Sequence, residues 1–250
     1  MRNKLFNYAL KIEYDGTNFV GWQYQKNGSS IQERIEKNLI KILKSKIKII
    51  GAGRTDKGVH AYGQCANFKT SKKIENINKF QDSINFFLKK SLISIVDIRK
   101  KNLIFHSRHS AKERIYEYKI INRAGALSLD LNKAWHVKKK INIRLMKYGA
   151  KLLEGTHDFS TFRSASCSAK SPIKKMNSIK VRKKGDEIIV EFKSKSFLQN
   201  QVRSMVGSLK YLSVGKWTKK AFINAFKSKK RKECAPPAPA CGLYLKEIKY

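Results

Sequence analysis

GAGRTDKGVH, residues 51–60, is the stretch on which the reading of the fold turns. Glycines spaced this way open either a phosphate loop leading into a helix or a sharp turn between two strands. The spacing decides against the first. From Gly51 a G-x-G-x-x-G fingerprint needs glycine at position 56, where Asp56 stands. From Gly53 the four-residue interval reaches Gly58, but the lysine of a P-loop would have to be Val59. No helical pattern follows, and a carboxylate does not cradle a phosphate. A short β-branched run, Lys46 to Ile50, leads in and a strand-like run, His60 to Thr70, leads out, so the stretch is a loop between two strands.

Upstream, Phe6, Tyr8, Leu10, Ile12 and Tyr14 alternate with Asn7, Ala9, Lys11 and Glu13, the period of a half-buried strand that ends at Asp15-Gly16. Ser30 and Glu33 form a capping-box signature, followed by Ile31, Ile35, Leu39 and Ile42 at helical spacing. Downstream, Ile77, Phe80, Ile84, Phe87 and Leu88 make a second amphipathic stripe before a strand at Leu92 to Ile98. The order β-α-β-β-α-β is the ferredoxin-like pattern. Beyond it the sequence predicts a strand at Glu113–Asn122, a helix at Ile143–Glu154 and a hairpin about Lys184-Gly185-Asp186. Helices at Gln201–Ser213 and Thr218–Ser228 and a final strand at Gly242–Tyr250 complete the pattern, with Pro236-Pro237-Ala238-Pro239 holding an extended approach. Helices mixed with mainly antiparallel strands define an α+β chain of two units, 1–105 and 106–250.

The 250 residues include 55 Lys or Arg and only 18 Asp or Glu, a formal charge of +37. Such a chain seeks polyanions, although Lys, Ile and Asn enrichment throughout is also what a biased base composition produces. At 41% hydrophobic residues, with 13 Phe and 10 Tyr, it has the apolar surface for a packed core and is no disordered basic tail. Cys65, Cys167, Cys234 and Cys241 form no C-x-x-C pair and the five histidines lack zinc-finger spacing, which argues against a structural metal or a disulfide framework. No run has the length of a membrane span, and no apolar N-terminal stretch marks a signal peptide, so a reduced, cytoplasmic setting is expected.

Two readings of residues 51–60 remain. In one, Arg54 and Asp56 simply pair within a tight turn, as turn aspartates often do. In the other, positions two apart in an extended loop share a side, so that the guanidinium of Arg54 keeps Asp56 ionised and oriented. An ionised, positioned carboxylate serves as nucleophile or base. Metal-dependent nucleases need several acids together, which this chain lacks, so chemistry on a base or sugar fits better than phosphodiester cleavage.

These residues resemble the tRNA pseudouridine synthase A family. Gly51 to His60 is similar to its signature loop, and Tyr14-Asp15-Gly16-Thr17 with Gly21-Trp22-Gln23 to its opening strand and loop. Phe105-His106 to Ser110-Ala111 with Arg114-Ile115-Tyr116-Glu117-Tyr118 resembles a second motif. Gly155-Thr156-His157-Asp158-Phe159 with Phe162, Phe197-Leu198 with Val202-Arg203 and Val206-Gly207, and Gly242-Leu243-Tyr244-Leu245 resemble later ones. Departures fall at Lys57, Gln201, Cys241 and the proline-free Leu88-Lys89-Lys90.

The resemblance implies a pseudouridine synthase fold of two ferredoxin-like, RRM-like units whose sheets join across a central catalytic cleft. It implies Asp56 as the essential catalytic aspartate, Arg54 as its neighbour, Tyr116 as the tyrosine that packs against the target base, and Arg203 and Leu243 as the remaining substrate-binding residues. It further implies tRNA, at the anticodon stem-loop, as the partner, a homodimer, and no cofactor or metal. Such chemistry requires flipping the base out of its stack, with the tyrosine offering a π face. The competing expectation is an inactive tRNA-binding or chaperone protein on the same fold. Lys138-Lys139-Lys140 and Lys229-Lys230-Arg231-Lys232 are candidates for phosphate contacts, and the histidines read as structural or surface residues.

Overall fold

The computed structural model describes residues 4–250. The chain divides into two compact units, one of Met1–Lys112 with Leu245–Tyr250 and one of Glu113–Tyr244.

In the first unit, strand β1 (Phe6–Tyr14) is buried along most of its length, with only Lys11 and Glu13 exposed. The alternation predicts a half-buried strand, but Asn7 lies inside as well. Its amide donates to the carbonyls of Asn102 (2.8 Å) and Phe105 (3.0 Å), and its Oδ1 accepts from Asn67 at 3.0 Å. A buried amide is tolerated when its hydrogen bonds are made. Helix α1 (Ile31–Leu43) begins as its capping signature predicts, with Ser30 Oγ accepting from the Glu33 N–H at 3.2 Å. Its buried face is Ile31, Ile35, Leu39 and Leu43, one residue beyond the expected Ile42.

Strand β2 is only Ile50–Gly51, shorter than the run from Lys46 predicts. The backbone before it bonds to helix side chains instead: the Ile49 N–H donates to Glu36 at 2.9 Å and its carbonyl accepts from Gln32 at 3.4 Å. Strand β3 (His60–Thr70), helix α2 (Ile77–Leu88) and strand β4 (Ile93–Lys101) follow. Strand β1 pairs antiparallel with β3 on one side and β4 on the other, and β2 pairs with Ala66 and Asn67 of β3. The order β4-β1-β3-β2 is the ferredoxin-like one expected.

In the second unit, strand β5 (Glu113–Ile121) carries the two-residue β6 (Trp135–His136) parallel beside it. Helix α3 (Ile143–Leu152), strands β7 (Gly155–Asp158), β8 (Ile173–Lys184) and β9 (Glu187–Ser194), and helices α4 (Gln201–Ser213) and α5 (Lys219–Lys227) complete it. The sheet runs β5-β9-β8-β7, all antiparallel. The hairpin turns where its glycine predicts, with Gly185 at φ +56°. Strands β6 and β7 escape prediction because two and four residues are too few to show alternation.

Helix α4 is buried nearly all round, four of its buried residues being Gln201, Ser204, Ser208 and Ser213. The segment from Pro236 passes so close that a Cβ on Gly207 would stand 2.1 Å from the Pro236 carbonyl oxygen. The final strand β10 (Leu243–Lys249) runs beside β3, where a Cβ on Gly63 would meet the Lys246 carbonyl oxygen at 2.5 Å. Substituting Gly207→Ala forces the Pro236–Ala238 backbone away, and the expected loss, about 1–3 kcal/mol, is read as a lowered urea midpoint with unchanged slope.

Candidate active site

Asp56 lies on the loop between β2 and β3, and that loop is fixed from beneath by the β1–α1 connection. The Trp22 N–H donates to the Thr55 carbonyl at 3.0 Å, and Gly21 and Asp56 form an isolated antiparallel bridge. Gly21 has φ +120°, and a Cβ there would lie 2.6 Å from the Thr55 carbonyl oxygen, so glycine is required on both counts. Below the turn, the Tyr14 hydroxyl and Thr55 Oγ1 share a buried hydrogen bond of 2.7 Å. On the other side the Val59 N–H donates to the Asp56 carbonyl at 3.2 Å, closing a turn through Gly58 at φ +77°. Gln64 Nε2 donates to the Gly53 carbonyl at 2.7 Å, and the Ala52 N–H to the Cys65 carbonyl at 2.8 Å. His60 is buried and its Nδ1 accepts from the Gly16 N–H at 3.1 Å, a structural role.

Backbone bonds at Ala52, Gly53, Thr55 and Asp56 fix the turn from both sides, while Asp56 is half-exposed and Arg54 exposed. A main chain fixed in this way is able to hold a carboxylate still.

The other sequence-predicted residues belong to the second unit. Tyr116, on β5, is buried and meets Phe197 edge to face, with ring centroids 5.1 Å apart. Arg203, in the first turn of α4, donates through Nε to the Ala238 carbonyl at 2.8 Å and through a terminal nitrogen to Asn200 Oδ1 at 3.2 Å. Its backbone carbonyl accepts from the Ala238 N–H at 2.9 Å, so helix and proline segment are stitched together. Leu243 opens β10 and is buried. Gly242 before it packs on Tyr118, whose hydroxyl donates to the Pro239 carbonyl at 2.7 Å. Burial pushes the Tyr118 phenol well above its ordinary range, and the Arg203 charge works in the opposite direction. At Cys241 burial likewise raises the thiol and Arg203 lowers it. Arg203 thus stands next to the segment that carries Leu243.

Sequence reading missed the residues that do the fixing. Trp22 and Tyr14 appear in it only as motif members, because their hydrogen bonds join distant segments, and Asn200 not at all, because its bond to Arg203 three residues on follows no periodic pattern. Among the described residues, no group of three or more His, Cys, Asp or Glu side chains could hold a metal ion, and no helix is long and apolar enough to cross a membrane.

An α+β scaffold with a charge of +37 suits a protein that acts on nucleic acid. The family profile described as tRNA pseudouridine synthase matches residues 11–110 and 150–250. Asp56, Arg54, Arg203 and Leu243 lie within the matched segments and Tyr116 between them. A tRNA pseudouridine synthase A of Pelagibacter ubique is 55% identical over 98% of this chain and 100% of its own length. Those of Maricaulis maris and Parvibaculum lavamentivorans are 42% and 43% identical over 97% of the chain, and 97% and 98% of their own lengths. The chain belongs to the tRNA pseudouridine synthase family, whose members are isomerases.

Gly21→Ala tests the clamp. Both its φ and its contact with the Thr55 carbonyl oppose the new Cβ, so the loop under Asp56 must shift. Turnover is expected to fall by up to about a hundred-fold, the effect of misplacing a reacting group by an ångström, while tRNA affinity in a filter-binding titration stays near wild type.

Proposed function

We propose that this protein isomerises uridine to pseudouridine in the anticodon stem-loop of tRNA, with Asp56 as the essential carboxylate. The observation that carries this reading is the hydrogen-bonded turn that holds the backbone of Asp56 and leaves Arg54 exposed. The reaction breaks the bond between uracil N1 and C1′, turns the base and rejoins it through C5. Asp56 either attacks the substrate covalently or removes a sugar proton to expel the base, and both routes need an ionised carboxylate held still. Arg54 supports that ionised state and meets the approaching RNA. Tyr116 packs against the flipped base, a contact of about 1–3 kcal/mol, and Arg203 and Leu243 complete the substrate contacts. The reaction draws on side chains alone, with neither cofactor nor metal.

Positive charge brings the tRNA in and fixes its register through phosphates without reading sequence. The protein acts as a homodimer in the cytoplasm.

The test is incubation with a uridine-labelled tRNA transcript, followed by nucleoside analysis. Wild type is expected to convert uridines of the anticodon stem-loop and Asp56→Ala none, with tRNA still bound. Conversion by the variant, or tight binding without conversion by wild type on any tRNA, defeats the catalytic reading and leaves a tRNA-binding protein. A companion titration in salt is expected to give a steep linear fall of log affinity against log salt.

A further inference from the structure

Gln201 is wholly buried at the start of α4, yet it is half satisfied. Its Oε1 accepts from the Leu198 N–H at 2.8 Å, while its Nε2 finds no acceptor among the described residues. A buried donor without a partner is costly, and an apolar side chain of equal length would be the more stable choice. A residue that breaks a stability rule in this way marks a place where something other than stability is served.

Its bond to Leu198 closes a turn in both directions, since the Gln201 N–H donates back to the Leu198 carbonyl at 3.1 Å. Inside the turn Asn200 is held left-handed at φ +61°. Asparagine tolerates that conformation and is the usual side chain for capping a helix. Here its side chain makes no capping bond to α4 and accepts from Arg203 instead. At the other end of the turn Phe197 presses edge-on against Tyr116. The turn is also tied outward: the Ser164 N–H donates to the Gln199 carbonyl at 3.1 Å, and the Gln199 N–H to Cys167 Sγ at 3.4 Å. One five-residue turn therefore touches both Tyr116 and Arg203, and its closure depends on Gln201.

We propose that Asn200 and Gln201 are positioning residues for the uridine-isomerising site, Gln201 by closing the Phe197–Gln201 turn and Asn200 by holding the Arg203 guanidinium. The inference rests on the roles given above to Tyr116 and Arg203. Arg203 is held at Nε by the Ala238 carbonyl and at a terminal nitrogen by Asn200, and the second of these fixes the turn of its guanidinium plane. Without Asn200 the guanidinium loses the acceptor that the turn provides. Without the Gln201 carbonyl the turn loosens, and both Phe197 and Asn200 move with it.

The experiment uses the full chain and three variants. Asn200→Gly keeps the left-handed backbone and removes only the acceptor, Asn200→Asp restores an acceptor, and Gln201→Met removes the amide while filling its space. In steady-state assays on a tRNA transcript, Asn200→Gly and Gln201→Met are expected to lower kcat about ten-fold with KM and melting temperature near wild type. Asn200→Asp is expected to recover most of the lost rate, and Gln201→Met to melt no lower than wild type. Activity at the wild-type level in Asn200→Gly and Gln201→Met, or loss of activity in step with loss of melting temperature, overturns the proposal.

Hydrogen exchange by NMR reads the same geometry without turnover. Gln201→Met is expected to expose the Leu198 amide, and Asn200→Gly to speed exchange at the Arg203 side chain. Unchanged exchange at both overturns the positioning roles whatever the activity. If exchange changes as expected but wild type forms no pseudouridine, the proposed function fails, and with it the link of this turn to catalysis.

Discussion

The backbone of Gly21 and Trp22 lies against that of Thr55 and Asp56 so closely that no side chain fits at position 21. This approach is the constraint on which the site depends. It converts a loop, which would otherwise wander among many conformations, into a rigid shelf at the edge of a sheet. The same crowding recurs around it: a Cβ on Gly16 would stand 2.0 Å from the Val59 carbonyl oxygen, and one on Gly51 would run into the Trp22 indole at 2.5 Å. Three glycines are thus fixed by the packing of two connections, and the acid they surround inherits their rigidity.

Charge shapes the rest of the molecule. With 55 basic residues and 18 acids, self-repulsion opposes compaction. Several of the acids are committed to pairs on the second unit's sheet. Glu117 and Glu191 meet Arg182, Glu191 also meets Lys193, and Lys119 bridges Asp130 and Glu187. For Lys119 burial works against its charge, but the two carboxylates hold its ammonium pKa above the ordinary value. Glu191 is buried and Arg182 exposed, and together the pairs neutralise one sheet face while most of the positive charge remains available to a polyanion.

Much of the fold was legible. Strands β1 and β3 and helix α4 run between the residues that alternation and helical spacing predict, and Ser30 caps α1 as its signature says. Periodicity is legible where the exposed residues are spaced by it, as at Lys11 and Glu13 of β1, while α4 is legible by its length and apolar content although it is buried nearly all round. Elements that lack such length were not legible. Strand β2 shrank because Ile49 bonds to α1 side chains, and β6 and β7 exist only through their neighbours. The passage from one unit to the other at Lys112–Glu113, and the return of Leu245–Tyr250 to the first, follow from long-range contacts that no local pattern encodes. For the site, the spacing of residues 51–60 excluded a phosphate loop and drew attention to Asp56 and Arg54, while Tyr116, Arg203 and Leu243 came from resemblance alone.

The sequence by itself determined the α+β class, the glycine-rich turn with its single acid, and the charge that selects a polyanionic partner, because periodicity, turn chemistry and net charge are local or additive properties. Only the tertiary structure decided what holds that acid still and what surrounds Arg203. The carbonyl of Thr55 on Trp22, the hydroxyl pair of Tyr14 and Thr55, and the bond of Arg203 to the Ala238 carbonyl each join groups whose meeting depends on where the backbone has already been carried.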